Sequence, residues 1–238
     1  MPEVAQAVEN LIERLTAVRQ RIEASARRAG RVPAEIKLIA VSKTHPFEIV
    51  REALAAGLTD FGENRVQEAE EKIAALTGRD VRWHLIGHLQ KNKARRAVKL
   101  FDVIHTVDAA ALVARLERLC VEEERRELPV LIQVDLAGEA TKSGAPVAEL
   151  PQVIAQFKEC ERVRLTGLMV LPPYFDDAEQ ARPYFRRLRE LRDEWRARGA
   201  FGAEAGELSM GMTHDFEVAI AEGATMVRVG TALFGARK

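Results

Sequence analysis

Apolar residues fall at Val4, Val8, Leu11, Leu15, Val18 and Ile22, steps of three and four that share one side of a helix. The stripe predicts a long amphipathic helix ending near Gly30 and Pro33. Beyond it the period changes. Short apolar runs occupy Lys37–Ser42, Thr59–Gly62, Trp83–Gly87, Val103–Val107, Val130–Leu136, Leu165–Leu171, Glu207–Met210 and Met226–Gly230. Helically patterned segments separate them, among them Pro46–Ala56, Arg65–Leu76, Ala109–Glu124 and Ala178–Arg198.

Several runs are apolar at successive positions, as in Leu38-Ile39-Ala40-Val41 and Val130-Leu131-Ile132. A strand covered by helices on one face and by its own barrel on the other shows this pattern. Parallel neighbours need crossovers, which the intervening helices supply. Eight strands with interposed helices predict an α/β fold, a single (β/α)8 TIM-type barrel with an additional N-terminal helix over residues 1–30. An open doubly wound sheet is the structural alternative, but no GxGxxG opens any helix. Two units are alike: each runs helix, glycine (Gly57 or Gly223), a threonine two residues on, then a strand. Such a glycine suits the left-handed position after a helix.

The 238 residues fit one such domain over 1–238, since these barrels run to about 250 residues. A hydrophobic share of 47% supports a large core. With 36 basic and 36 acidic residues the formal net charge is zero, which gives no field to recruit nucleic acid or an anionic membrane. The first residues lack the apolar core of a signal peptide, and no stretch reaches the roughly 18 apolar residues of a membrane span. Cys120 and Cys160 form no metal or disulfide framework and read as reduced thiols of a cytoplasmic protein. His84 and His88 sit four apart at a strand end, where that spacing shares no face, so no metal site is expected. Basic residues at 91–96 and 182–198 read as solvated helix faces; acidic residues interleave the second stretch.

Chemistry in such a barrel belongs at the C-terminal ends of the strands. Lys43 follows the first strand directly, and a lysine kept from water loses proton affinity and becomes a nucleophile for an aldehyde. Its bland alternative is a lysine that has simply reached solvent. The seventh run leads into Ser209-Met210-Gly211-Met212-Thr213, with Thr213 as an N-cap candidate, and the eighth into Gly230-Thr231. Small residues and backbone N–H groups at these two loops suit a phosphate. Arg228, inside an apolar strand, needs a partner: a carboxylate such as Glu63 or Asp135, or an aromatic ring nitrogen.

These features, with Phe61-Gly62-Glu63-Asn64-Arg65-Val66-Gln67-Glu68, Trp83-His84-Leu85-Ile86-Gly87, Thr141-Lys142-Ser143-Gly144, Gly167-Leu168-Met169 and Val227-Arg228-Val229-Gly230-Thr231, strongly resemble the YggS-type pyridoxal phosphate homeostasis proteins. The strings run from the first strand to the last. The resemblance implies the barrel half of the alanine racemase fold, with pyridoxal 5′-phosphate (PLP) as cofactor. It implies a Schiff base on Lys43, phosphate held by Ser209, Gly230 and Thr231, and Arg228 facing the pyridine nitrogen. Asn64 and Met169 should line the ring, with His84 close by and Lys142 near the open side.

The expected role is intracellular PLP homeostasis without catalysis. Arginine keeps its proton, and a ring nitrogen left unprotonated is a weaker electron sink. The racemases of this fold take an opposite-face tyrosine from a second domain; Tyr174 and Tyr184 here read as packing or exposed residues. A weak single-domain racemase is the alternative, and an aldolase-type imine without PLP is a third reading. Expected partners are PLP and PLP-dependent apo-enzymes, with no nucleic acid, no membrane, and a monomeric state.

Overall fold

The computed structural model describes residues 2–76, 78–138 and 143–235, with side chains from residue 10 onward. Helix α1 (Pro2–Arg28) buries Leu11, Leu15, Val18, Ile22 and Ala26 along one face. The expected stripe is therefore present over its described part; the side chains of Val4 and Val8 lie outside that part.

The chain then alternates strands and helices. The strands are β1 (Lys37–Val41), β2 (Asp60–Glu63), β3 (Arg82–Leu85), β4 (Val103–Val107), β5 (Leu128–Asp135), β6 (Ala145–Pro146), β7 (Val163–Met169), β8 (Glu207–Met212) and β9 (Met226–Val229). The helices are α2 (Phe47–Ala55), α3 (Val66–Ala75), α4 (Ala94–Leu100), α5 (Ala110–Glu122), α6 (Leu150–Gln156), α7 (Arg182–Ala197), α8 (Phe216–Ala221) and α9 (Thr231–Phe234). Eight strands pair in parallel in the order β1-β2-β3-β4-β5-β7-β8-β9, and β9 returns to β1 with Ile39 opposite Arg228. The sheet closes as the TIM-type barrel that the sequence predicts. Among the described residues, the two-residue β6 pairs only with the end of β5, Val134 opposite Ala145.

Outward strand residues such as Phe61, Leu85, Ile104, Ile132, Leu168 and Val227 join one large core with helix residues including Val50, Ala69, Val113, Leu188 and Phe216. Each such buried Val, Leu, Ile or Phe side chain contributes roughly 1.5–3 kcal/mol. Inside the barrel, a small separate cluster of Val103, Leu131 and Met169 occupies one part of the lumen. Polar side chains occupy another. The lumen is tight: a Cβ on Gly62 would sit 2.9 Å from Ile86 and 3.0 Å from Ile39.

The two similar units end their helices in one way. Gly57 (φ +84°) and Gly223 (φ +101°) are left-handed, and the next residue's N–H bonds back five residues, Leu58 to Ala53 at 3.0 Å and Ala224 to Ala219 at 2.9 Å. This turn sends the chain back along the helix toward its next strand.

Helix α1 packs on α8 and α9, with an Arg21 Nε–Glu217 ion pair at 2.7 Å. The N-terminal helix therefore covers the last βα unit of the barrel.

Candidate functional site

A cavity of about 430 Å³ opens at the C-terminal ends of the strands. Val41, Lys43, His45, Asn64, Ile86, Leu171, Tyr174, Met212, Thr213, His214, Arg228, Gly230, Thr231 and Gly235 line it. Of these described residues, two are cationic and none is acidic. A second hollow, of about 300 Å³, lies among α6, α7 and their following turns, lined by Pro151, Lys158, Trp195 and Arg198. It is remote from the strand ends where a barrel gathers its chemistry.

Lys43 leaves β1 into a strained turn. Thr44 takes φ +67°, a region unfavourable for a β-branched residue. A buried network holds that backbone. Lys72 Nζ donates to Ser42 O at 2.7 Å, Glu63 Oε1 at 2.6 Å and Glu68 Oε1 at 2.8 Å. Ser42 Oγ also donates to Glu63 at 2.7 Å, and the Thr44 N–H donates to Glu68. Burial raises the Glu63 carboxyl despite its hydrogen bonds from Lys72 and Ser42. Glu63 is thus committed to the outer side of β2 and does not pair with Arg228. Asp135, the other expected partner, accepts instead from the N–H groups of Ala137 and Gly138.

Arg228 finds neutral partners. Its Nη1 donates to Ser209 Oγ at 2.6 Å and its Nη2 to Val170 O at 2.9 Å. Burial lowers its pKa to about 10, opposed by the charge of Asp215. From Ser209 the contacts continue through the lumen: to His105 Nδ1 at 2.9 Å, from His105 Nε2 to His84 Nδ1 at 2.9 Å, and from His84 Nε2 to Asp60 Oδ1 at 2.8 Å. Burial lowers both imidazoles, His105 well below its ordinary value, and the charges of His84 and Arg228 push His105 the same way. Burial works to raise Asp60, but the His84 hydrogen bond and nearby positive charge outweigh it and hold the carboxyl low.

Three expected site residues lie one layer below the cavity lining. His84, Met169 and Ser209 are fully buried in the lumen and do not line the cavity. Side chains alternate along a strand, so the next residue on the same face lies two positions on. Ile86 and Leu171, two beyond His84 and Met169, take the places at the cavity. The Ser209 hydroxyl is engaged by Arg228 and His105, which turns it away from the expected phosphate loops. Thr213 lines the cavity beside those loops, and it is not the cap of α8 that the sequence suggests. Its Oγ1 accepts from Gly230 N and Ala232 N, at a long 3.4 Å each. Asp215 occupies the N-cap position of α8. Lys43, Asn64, Arg228, Gly230 and Thr231 come together as expected, and Lys142 lies outside the described residues. Tyr174, read from sequence as packing or exposed, is 76% exposed at the cavity rim, its ring 5.6 Å from that of His214.

The family model of the alanine racemase N-terminal domain matches residues 14–238. A pyridoxal phosphate homeostasis protein of Aquifex aeolicus is 44% identical over 229 residues, covering 96% of this chain and 99% of that one. The chain belongs to this family of pyridoxal phosphate homeostasis proteins. The Escherichia coli K12 member of the family is 42% identical over 236 residues, covering 96% and 97% of the two chains. PipY of Synechococcus elongatus, solved with PLP bound, is 42% identical with a TM-score of 0.83, covering 94% of this chain and 100% of that one. Alanine racemase of Bartonella henselae shares the family's fold at a TM-score of 0.69 and 16% identity, covering 97% of this chain and 59% of its own.

The neutral imidazoles carry a pH consequence. Below about pH 6.5 the unfolded chain binds protons at His84 and His105 that the folded chain refuses, so each reduces stability by up to about 1.4 kcal/mol per pH unit. The ring-proton NMR signals of both should titrate below the ordinary imidazole range, His105 the further of the two. Titration of either near 6.5 would contradict this environment.

Proposed function

We propose that the chain binds PLP in this cavity through a Schiff base on Lys43 and serves its homeostasis, taking up cofactor and giving it to apo-enzymes in the cytoplasm as a monomer. One observation carries the reading: a lysine amine and small donor-bearing loops share a cavity whose described lining has no carboxylate. PLP combines an aldehyde, a dianionic phosphate and a flat ring, and the lining offers something to each.

Lys43 supplies the amine. Thr213, Gly230 and Thr231 would hold the phosphate, through hydroxyls and the backbone N–H groups of Gly230 and Ala232. Asn64, Ile86 and Leu171 would bound the ring, and Arg228 would meet its nitrogen. A guanidinium with a pKa of about 10 keeps its proton at neutral pH and so offers only a hydrogen bond. When bound, PLP supplies an electron sink, weakened where its ring nitrogen is not protonated. These groups favour holding the cofactor over turning over amino acids.

The purified protein should absorb near about 420 nm as a protonated imine of the cofactor. Borohydride reduction and peptide mapping should place the pyridoxyl group on Lys43; exclusive labelling of another lysine would overturn the assignment. Gly230→Val would crowd a position whose Cβ meets Val41 O at 3.3 Å. It should weaken PLP at least about tenfold more than pyridoxal, which lacks the phosphate. Equal weakening would move the phosphate elsewhere.

Tyr174 beside His214 favours one second reading, a weak racemase with the phenol as its further acid/base. Incubation with L- and D-alanine in deuterated water separates the two. Racemisation at several per second, lost in Tyr174→Phe, would replace the carrier reading.

A further inference from the structure

Arg228 is fully inside the barrel, and neither of its hydrogen-bonded partners carries a charge. Burying an isolated guanidinium is very costly. Asp215 contributes at a distance. The lumen holds a second carboxylate, Asp60, joined to Arg228 through Ser209, His105 and His84 by four contacts of 2.6–2.9 Å. Asp60 begins β2, at the opposite end of the barrel from the cavity, and its side chain keeps 16% exposure.

With His84 and His105 neutral, hydrogen-bond valence sets the direction of each bond in this chain. Arginine only donates, and an ionised carboxylate only accepts. Asp60 must therefore accept from His84 Nε2–H. A neutral His84 then has only a lone pair on Nδ1, which must accept from His105 Nε2–H. His105 in turn has a lone pair on Nδ1, which must accept from the Ser209 hydroxyl. The Ser209 oxygen is left as the acceptor that Arg228 requires. With both imidazoles neutral each group has one role, and reversing a single bond leaves two donors or two acceptors facing each other. Such ordered chains polarise their members toward the charged ends.

We propose that Asp60, His84, His105 and Ser209 are positioning residues that relay a counter-charge through the barrel core and hold the Arg228 guanidinium in place at the floor of the cavity. The chain does not conduct protons, because its cavity end is a guanidinium that keeps its own. It is a fixed strut with charge at both ends. Its effect on PLP affinity rests on the cofactor reading above; its effect on Arg228 does not.

The experiment has two arms. In PLP-free protein labelled with 15N, an N–H···N coupling should join His84 Nδ1 to His105 Nε2, and the Arg228 guanidinium protons should exchange slowly with solvent. Ser209→Ala should keep the coupling, remove the hydrogen bond at His105 Nδ1, and speed Arg228 exchange about tenfold or more. Asp60→Ala should speed it similarly; Asp60→Asn, whose amide oxygen still accepts from His84, should restore the coupling and part of the protection. Circular dichroism verifies that each variant folds. In the second arm, PLP affinity should fall roughly tenfold in Ser209→Ala and Asp60→Ala, less in Asp60→Asn, with the visible band shifted.

Absent coupling in the wild type, or Arg228 exchange unchanged in folded Ser209→Ala and Asp60→Ala, would overturn the relay. A wild type that takes up no PLP at Lys43 would overturn the cofactor reading alone, because the first arm still decides the relay.

Discussion

Lys43→Ala is expected to purify colourless, fold normally, and take up no PLP that survives borohydride and denaturation. The side chain leaves β1 half-buried at the cavity, and the buried contact of Ser42 with Glu63 and the exposed one of Thr44 with Glu68 are made without its amine. The fold therefore has little reason to fail. The affinity has every reason to: without the covalent bond only the phosphate, ring and Arg228 contacts remain, and Kd should rise by a factor of 100 or more, about 2.7 kcal/mol. Gel filtration with excess PLP, followed by the visible spectrum, measures this directly. A yellow, reducible Lys43→Ala protein would show that another lysine carries the cofactor.

The second large effect concerns a residue that does not line the cavity. Lys72 and Glu63 expose 5% and none of their side chains, and Lys72 also secures Ser42 O and Glu68. Lys72→Met leaves the Glu63 charge buried without its partner, at a cost of about 3–5 kcal/mol. For a chain of this size that lowers Tm by roughly 6–20 °C, at about 2–4 °C per kcal/mol. Because the same amine supports the strained Thr44 turn, PLP uptake by Lys43 should slow even where the variant stays folded. Adding Glu63→Gln should recover part of the stability by removing the stranded charge. Urea unfolding of the single and double variants decides it; an unchanged midpoint in Lys72→Met would mean the pair is energetically neutral.

The barrel strands were legible where several successive residues are apolar, as in β1 and β5, and where a helical period separates one run from the next, as α2, α3 and α5 do. The short elements were not. Helix α6 spans seven residues and starts Leu150-Pro151, too brief to show a period, and β6 is two residues long. At the site, motif likeness pointed to the strands that meet at the cavity but does not say how deep along each strand a residue lies. His84 and Ile86 share a face of β3, and only the direction of the strand says which is nearer the mouth. Ile86 and Leu171, two residues on from His84 and Met169, are the ones that line the cavity. The relay to Arg228 had no such signal. Its links span 19, 104, 21 and 24 residues of sequence and exist only once the barrel has closed.

Closure also has a history in time. Arg21 on α1 and Glu217 on α8, paired in the finished molecule, are 196 residues apart along the chain. At about 5–20 residues per second of synthesis, roughly 10–40 seconds pass between the making of the two. Through that interval the apolar stripe from Leu11 to Ala26 lacks the surface that will cover it, and β1 lacks its β9 neighbour. The nascent barrel is thus an open, curved sheet with a sticky amphipathic helix at one edge, the kind of species that chaperones shield. Folding yield in a cell-free translation should therefore depend on chaperone supply far more than refolding of the full-length chain does.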